Sequence, residues 1–179
     1  MSVANVHHLV ISHSNFESNK CFINGGALFL SISSDLNSVI EDSTFIDNTA
    51  ITNSGGAVFF MVTSNLMFNR LLFRGNVATN SGGALAMRLT DNPIVINYCT
   101  FTRNRAIMGD GSAIDVGDGQ SFISVYYSTF QENSALMGTL YYYFHYYCIQ
   151  DRILNIAMCF FPCVNCCRWR DGILDILRR

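Results

Sequence analysis

Ser43-Thr44-Phe45-Ile46-Asp47-Asn48, followed by Gly55-Gly56-Ala57-Val58, decides the fold, because both pieces recur along the chain. Aligned on Phe-x-x-Asn, the other copies are Ser14-Asn15-Phe16-Glu17-Ser18-Asn19, Leu71-Leu72-Phe73-Arg74-Gly75-Asn76, Cys99-Thr100-Phe101-Thr102-Arg103-Asn104 and Ser128-Thr129-Phe130-Gln131-Glu132-Asn133. The anchor phenylalanines are spaced by 29, 28, 28 and 29 residues. The second landmark follows each anchor as Gly25-Gly26-Ala27-Leu28, Gly55-Gly56-Ala57-Val58, Gly82-Gly83-Ala84-Leu85 and the variant Gly111-Ser112-Ala113-Ile114, and it decays to Gly138-Thr139-Leu140 in the last copy. A fixed period with two landmarks is the signature of a repeat architecture.

Between the landmarks lie strand-length runs rich in β-branched and aromatic residues, such as Ala27-Leu28-Phe29-Leu30-Ser31-Ile32 and Pro93-Ile94-Val95-Ile96-Asn97-Tyr98, bounded by Gly, Asn, Ser and Asp. No window sustains an apolar stripe at helical spacing, which excludes the helical solenoids. A propeller blade needs about 40 to 45 residues, more than this period supplies. The reading is an all-β, right-handed parallel β-helix of about five coils over residues 14–140. Residues 1–13 form a partial first coil or frayed start, in which Val6-His7-His8-Leu9-Val10-Ile11 reads as one strand, and 141–179 form a non-repeat tail.

In such a stack equivalent residues form columns roughly 4.8 Å apart. Phe16, Phe45, Phe73, Phe101 and Phe130 are expected to stack inward, each burial contributing about 1.5–3 kcal/mol. Beside them Cys21, Ala50, Ala78, Ala106 and Ala135 suit a crowded position. Asn19, Asn48, Asn76, Asn104 and Asn133 are expected to form a ladder at a corner, since a carboxamide both donates and accepts. Gly25, Gly26, Gly55, Gly56, Gly82, Gly83 and Gly111 mark another corner, where φ is positive or the backbone passes too close for a Cβ.

The chain carries 13% charged residues, a formal net charge of -2 and one lysine, Lys20, so it offers no basic surface for nucleic acid. Its seven cysteines are skewed, with Cys21 and Cys99 in the repeats and Cys148, Cys159, Cys163, Cys166 and Cys167 in the tail, which does not read as a disulfide framework. The polar start Ser2-Val3-Ala4-Asn5 is not a signal peptide. Asn-x-Ser/Thr is absent, so glycosylation gives no hint of compartment.

The pairing of Phe-x-x-Asn with Gly-Gly-Ala resembles the polymorphic outer membrane protein repeat, best known in surface adhesins and autotransporter passenger domains. The resemblance covers roughly Ser14 to Gly138. It implies a right-handed parallel β-helix at a cell surface or outside the cell, often adhesive, with an unidentified cell-surface protein or glycan as partner. Membrane attachment is expected only through flanking segments, and the chain is expected to be a fragment of a longer repeat protein, because an uncapped end coil exposes its apolar cross-section.

Enzymes of the pectate-lyase-like kind use this fold with an acidic strip on one wall, and a fragment of such an enzyme is the alternative function. The candidate columns here are Glu17, Ile46, Arg74, Thr102, Gln131 and Ser18, Asp47, Gly75, Arg103, Glu132, and neither concentrates acid. Arg103 and Glu132 suit a surface ion pair. The expectation is a noncatalytic protein with no cofactor. Asp110, Asp115 and Asp118 lack the ligand count of a calcium loop, and His7, His8 and His13 have no partner at metal-ligand spacing, so no metal site is expected. The tail thiols from Cys159 to Cys167 crowd too closely for two separated zinc ligand pairs, and Ile153 to Cys167 is shorter than the roughly 20 residues of a membrane span. Lipid attachment at cysteines beside Arg168 and Arg170 is a further reading. The tail is expected to lie outside the fold, with low order or as a capping helix through Ile173-Leu174-Asp175-Ile176-Leu177, and to be dispensable for stability.

Overall fold

A computed structural model describes residues 1–6, 8–32, 37–62, 65–88, 93–117 and 123–136, with short strands beyond at Tyr147–Cys148, Arg168–Arg170 and Ile173–Asp175. Four parallel sheets run along one axis. The first holds Ser2–Val6, Leu28–Ile32, Val58–Val62, Leu85–Arg88 and Ile114–Val116; the second holds Val10–Ser12, Ser38–Glu41, Leu66–Asn69, Ile94–Asn97, Ile123–Tyr126 and Tyr147–Cys148. The third holds Asn15–Glu17, Thr44–Ile46, Leu72–Arg74, Thr100–Thr102 and Thr129–Gln131; the fourth holds Lys20–Cys21, Thr49–Ala50, Val77–Ala78, Arg105–Ala106 and Ser134–Ala135. Each coil visits the four sheets in turn, and the fold is a parallel β-solenoid. The described residues include no helix.

Equivalent residues pair without slippage, Phe16 with Phe45, Phe45 with Phe73, Phe73 with Phe101 and Phe101 with Phe130. Their rings stack at 4.8, 4.9, 4.8 and 4.7 Å, within 10° of parallel. Apart from the buried Ser38, in register with Leu66, the other inward positions of the first two sheets are apolar by the period-2 rule: Leu28 and Leu30, then Val58 and Phe60, then Leu85 and Met87, then Ile114 and Val116 on the first sheet, facing Ile40, Leu66 and Phe68, Ile94 and Ile96, and Ile123 and Val125 on the second. Ala50, Ala78 and Ala106 are buried on the fourth sheet, and Cys21 stands in register with Ala50.

The asparagine column is a continuous ladder. Each Nδ2 donates to the Oδ1 of the next coil's asparagine, from Asn19 to Asn48 (2.9 Å), Asn48 to Asn76 (3.0 Å), Asn76 to Asn104 (2.9 Å) and Asn104 to Asn133 (2.9 Å). The second Nδ2 hydrogen points back, Asn48 to the Phe16 carbonyl and Asn76 to the Phe45 carbonyl, both at 2.9 Å. Each Oδ1 also accepts from the preceding asparagine's backbone N–H, as Asn76 does from Asn48 at 3.0 Å. Asn48, Asn76 and Asn104 thus fill both donor and both acceptor positions while buried.

The glycine pairs divide the two expected causes between them. The first glycine takes positive φ, at 64° in Gly25, 72° in Gly55, 67° in Gly82 and 64° in Gly111. The second faces the next coil's backbone: a Cβ on Gly26, Gly56 or Gly83 would lie 2.1 Å from the carbonyl oxygen of Gly56, Gly83 or Ser112. No side chain fits there.

Two details differ from the sequence reading. Val6 to Ile11 is two strands on different sheets, Ser2–Val6 and Val10–Ser12, because the chain turns from the first sheet to the second between them. Ile173–Asp175 is a strand paired antiparallel with Arg168–Arg170, not part of a capping helix; Asp171-Gly172, which separates them in sequence, is a dipeptide that favours tight hairpins over helix. Beyond the repeats, Tyr147 pairs in parallel with Ile123 on the second sheet. Most of the tail, with Cys159, Cys163, Cys166 and Cys167, lies outside the described residues, as do His7, Asp118, Gly138 and Leu140.

A serine column runs two residues before each phenylalanine. Ser43 Oγ accepts from the Ser14 N–H and Ser128 Oγ from the Cys99 N–H, both at 3.0 Å. Leu71 and Cys99 interrupt the series. Cys99 is 1% exposed, and burial pushes its thiol up from 9.0 to about 11.

Three measurements test this packing. Asn76→Leu leaves the Asn48 backbone N–H and one Asn48 Nδ2 hydrogen without acceptors and should lower the unfolding free energy by about 2–5 kcal/mol; Asn76→Asp removes both donors and should be destabilising too, while Asn65→Leu, at an exposed amide pair with Asn37, should stay within about 0.5 kcal/mol of the parent in a urea titration. Gly56→Ala should abolish the folded signal in circular dichroism or lower its midpoint more than any of these. Between pH 9 and 11 the unfolded chain releases the Cys99 proton that the folded chain keeps, so stability falls as pH rises across that window. Cys99→Ser, which restores the column residue, should flatten the fall by about 2–3 kcal/mol.

Candidate binding surface

The outer wall is set by the corners. Between the second and third sheets one residue per coil takes the left-handed conformation, and none is glycine: His13 (φ 49°), Asp42 (47°), Arg70 (53°), Tyr98 (52°) and Tyr127 (46°). Between the third and fourth sheets the same conformation falls on Ser18, Asp47, Gly75, Arg103 and Glu132. One such residue between extended neighbours turns the chain sharply without a loop and projects its side chain outward, at a backbone cost of about 1 kcal/mol where a Cβ is present.

The first corner column is chemically ordered along the axis. Arg70 donates from Nε and Nη2 to the two carboxylate oxygens of Asp42, both at 2.6 Å, and from Nη2 to Glu41 at 3.1 Å. The hydrogen bonds from Arg70 hold the Asp42 carboxyl below its ordinary value, and Asp42 in turn raises Arg70. The Tyr98 and Tyr127 rings stack at 4.9 Å, 10° from parallel, and both are about half exposed. Alongside, an open groove of about 440 Å³ follows the axis. Its floor is Thr44, Leu72 and Thr100, in register on neighbouring coils, with Ser43 and Leu71 beneath, and its wall is Asp42, Arg70 and Tyr98.

The second corner column carries the expected ion pair, Arg103 Nε to Glu132 at 2.6 Å, which holds the Glu132 carboxyl below its ordinary value. On the first sheet Arg88 bonds Asp115 at 2.8 Å and lies over the Phe59 ring. Asp115 is therefore held by an arginine, and Asp110, which burial raises, stands apart from it on the glycine corner. His8 Nδ1 lies 2.6 Å from the Asn37 carbonyl and His13 occupies a corner. Among the described residues no three His, Cys, Asp or Glu side chains come together as a metal site.

The Phe, Asn and Gly positions singled out in the sequence are scaffold, and they place the wall. The residues that shape the groove were not among them. Position three before each phenylalanine reads His13, Asp42, Arg70, Tyr98, Tyr127, and tabulating it would have brought the charged pair and the tyrosine pair into one column.

Residues 42–60 and 70–87 match the Chlamydia polymorphic membrane protein (Chlamydia_PMP) repeat. Each matched segment begins at the corner column, runs through Phe and Asn, and ends past Gly-Gly-Ala on the first sheet. Nothing matches the chain among curated proteins or among solved structures. The chain is a parallel β-solenoid, two segments of which match the Chlamydia polymorphic membrane protein repeat.

Proposed function

We propose that this chain is a noncatalytic, adhesive module of a cell-surface or secreted protein, and one part of a longer repeat protein. The observation that carries this reading is the repeat match itself, on coils whose inward side chains and corner glycines are wholly committed to stacking. A solenoid of this kind presents a long stiff wall whose outward residues vary from coil to coil without disturbing the core, which suits recognition over an extended surface. The ion pairs on that wall tie up Arg70, Arg103, Asp42 and Glu132, groups that acid–base or sugar-acid chemistry would need free.

Beads coated with the full chain should adhere to cultured epithelial cells above albumin-coated beads, and heat-unfolded protein should not. Equal adhesion of chain and albumin would refute the adhesive reading. Release of reducing ends from polygalacturonate in the presence of calcium would refute the noncatalytic one.

A further inference from the structure

The groove beside Tyr98 has the chemistry of a site for a sugar chain. Tyr127 covers one face of the Tyr98 ring. The opposite face looks toward the preceding coil, where the corner residue is Arg70. That guanidinium is drawn down to Asp42 and Glu41, and Arg70 and the half-exposed Tyr98 both line the groove. Below it Leu72 provides an apolar strip between the hydroxyl-bearing Thr44 and Thr100.

We propose that this groove binds a neutral oligosaccharide; the inference deepens the adhesive reading and rests on it. A pyranose ring presents C–H faces that pack on an aromatic ring or an aliphatic side chain, and hydroxyls at its edge that pair with planar charged groups and with threonine. Tyr98 and Leu72 supply the first kind of contact, and Thr44 and Thr100 the second. Charge selects the class: two carboxylates, Glu41 and Asp42, surround the one guanidinium, so sulfated or uronic sugars meet a net negative wall while neutral ones do not.

Saturation-transfer difference NMR on the full chain tests the assignment with cellohexaose, chitohexaose and maltohexaose as neutral probes and a heparin hexasaccharide as the anionic one. At least one neutral probe should receive saturation and the heparin probe should not. Tyr98→Asn removes the ring while keeping a residue that tolerates positive φ, and should weaken the neutral probe about tenfold; Tyr98→Phe should bind as the parent does. Circular dichroism midpoints equal to the parent's establish that Tyr98→Asn is folded, and Tyr98→Phe keeps the test open if it is not. Failure of every neutral probe, preference for heparin, parental binding by folded Tyr98→Asn, or loss of binding in Tyr98→Phe would overturn the site. If no neutral probe binds yet coated beads still adhere to cells, the saccharide site is wrong and the adhesive reading stands.

Discussion

A buried carboxamide that can satisfy itself only by finding an identical one a coil above and a coil below is the constraint on which this molecule depends. Asn76 donates to Asn104 and to the Phe45 carbonyl, and accepts twice from Asn48. Those four bonds fix the spacing, the register and the polarity of the stack together. An aspartate has no hydrogens to give and a leucine has neither role, so the column tolerates little else. The phenylalanine stack beside it adds apolar burial, but its rings could slide; the amides cannot.

From that register the glycine corner follows. Coils held so closely leave the second glycine's Cβ position filled by the next carbonyl oxygen, and the alanine that follows, buried in each of the first four copies, starts the strand of the next coil. Inward and corner positions are therefore restricted, and variability is exported to the outer wall. There the sequence changes freely: His13, Asp42, Arg70 and Tyr98 share one backbone conformation and four different chemistries. Function in such a fold belongs to the columns that the fold leaves alone.

This division explains what could be read from the residues beforehand. The phenylalanines, asparagines and glycines were legible because each column demands one residue type, so identity repeats with the period. The non-glycine left-handed corners were not, because Ser18, Asp47, Arg103 and Glu132 have no single side-chain chemistry in common, and only Gly75 in that column hints at positive φ. The groove was hidden for the same reason. Val6 to Ile11 misled because an unbroken apolar and histidine run gives no sign of the turn between sheets, and Ile173-Leu174-Asp175 misled because its apolar spacing suits a helix while the Asp-Gly before it favours a hairpin.

The most direct measurement of the central claim is hydrogen exchange of side-chain amides, followed by NMR in protein labelled at asparagine nitrogen. The Nδ2 protons of Asn48, Asn76 and Asn104 should exchange only when the whole domain unfolds, with the same denaturant dependence as the slowest backbone amides, while those of the exposed Asn65 exchange at the rate of free solution. Exchange of the three column amides at the free rate in the folded protein would contradict the ladder and the solenoid built on it.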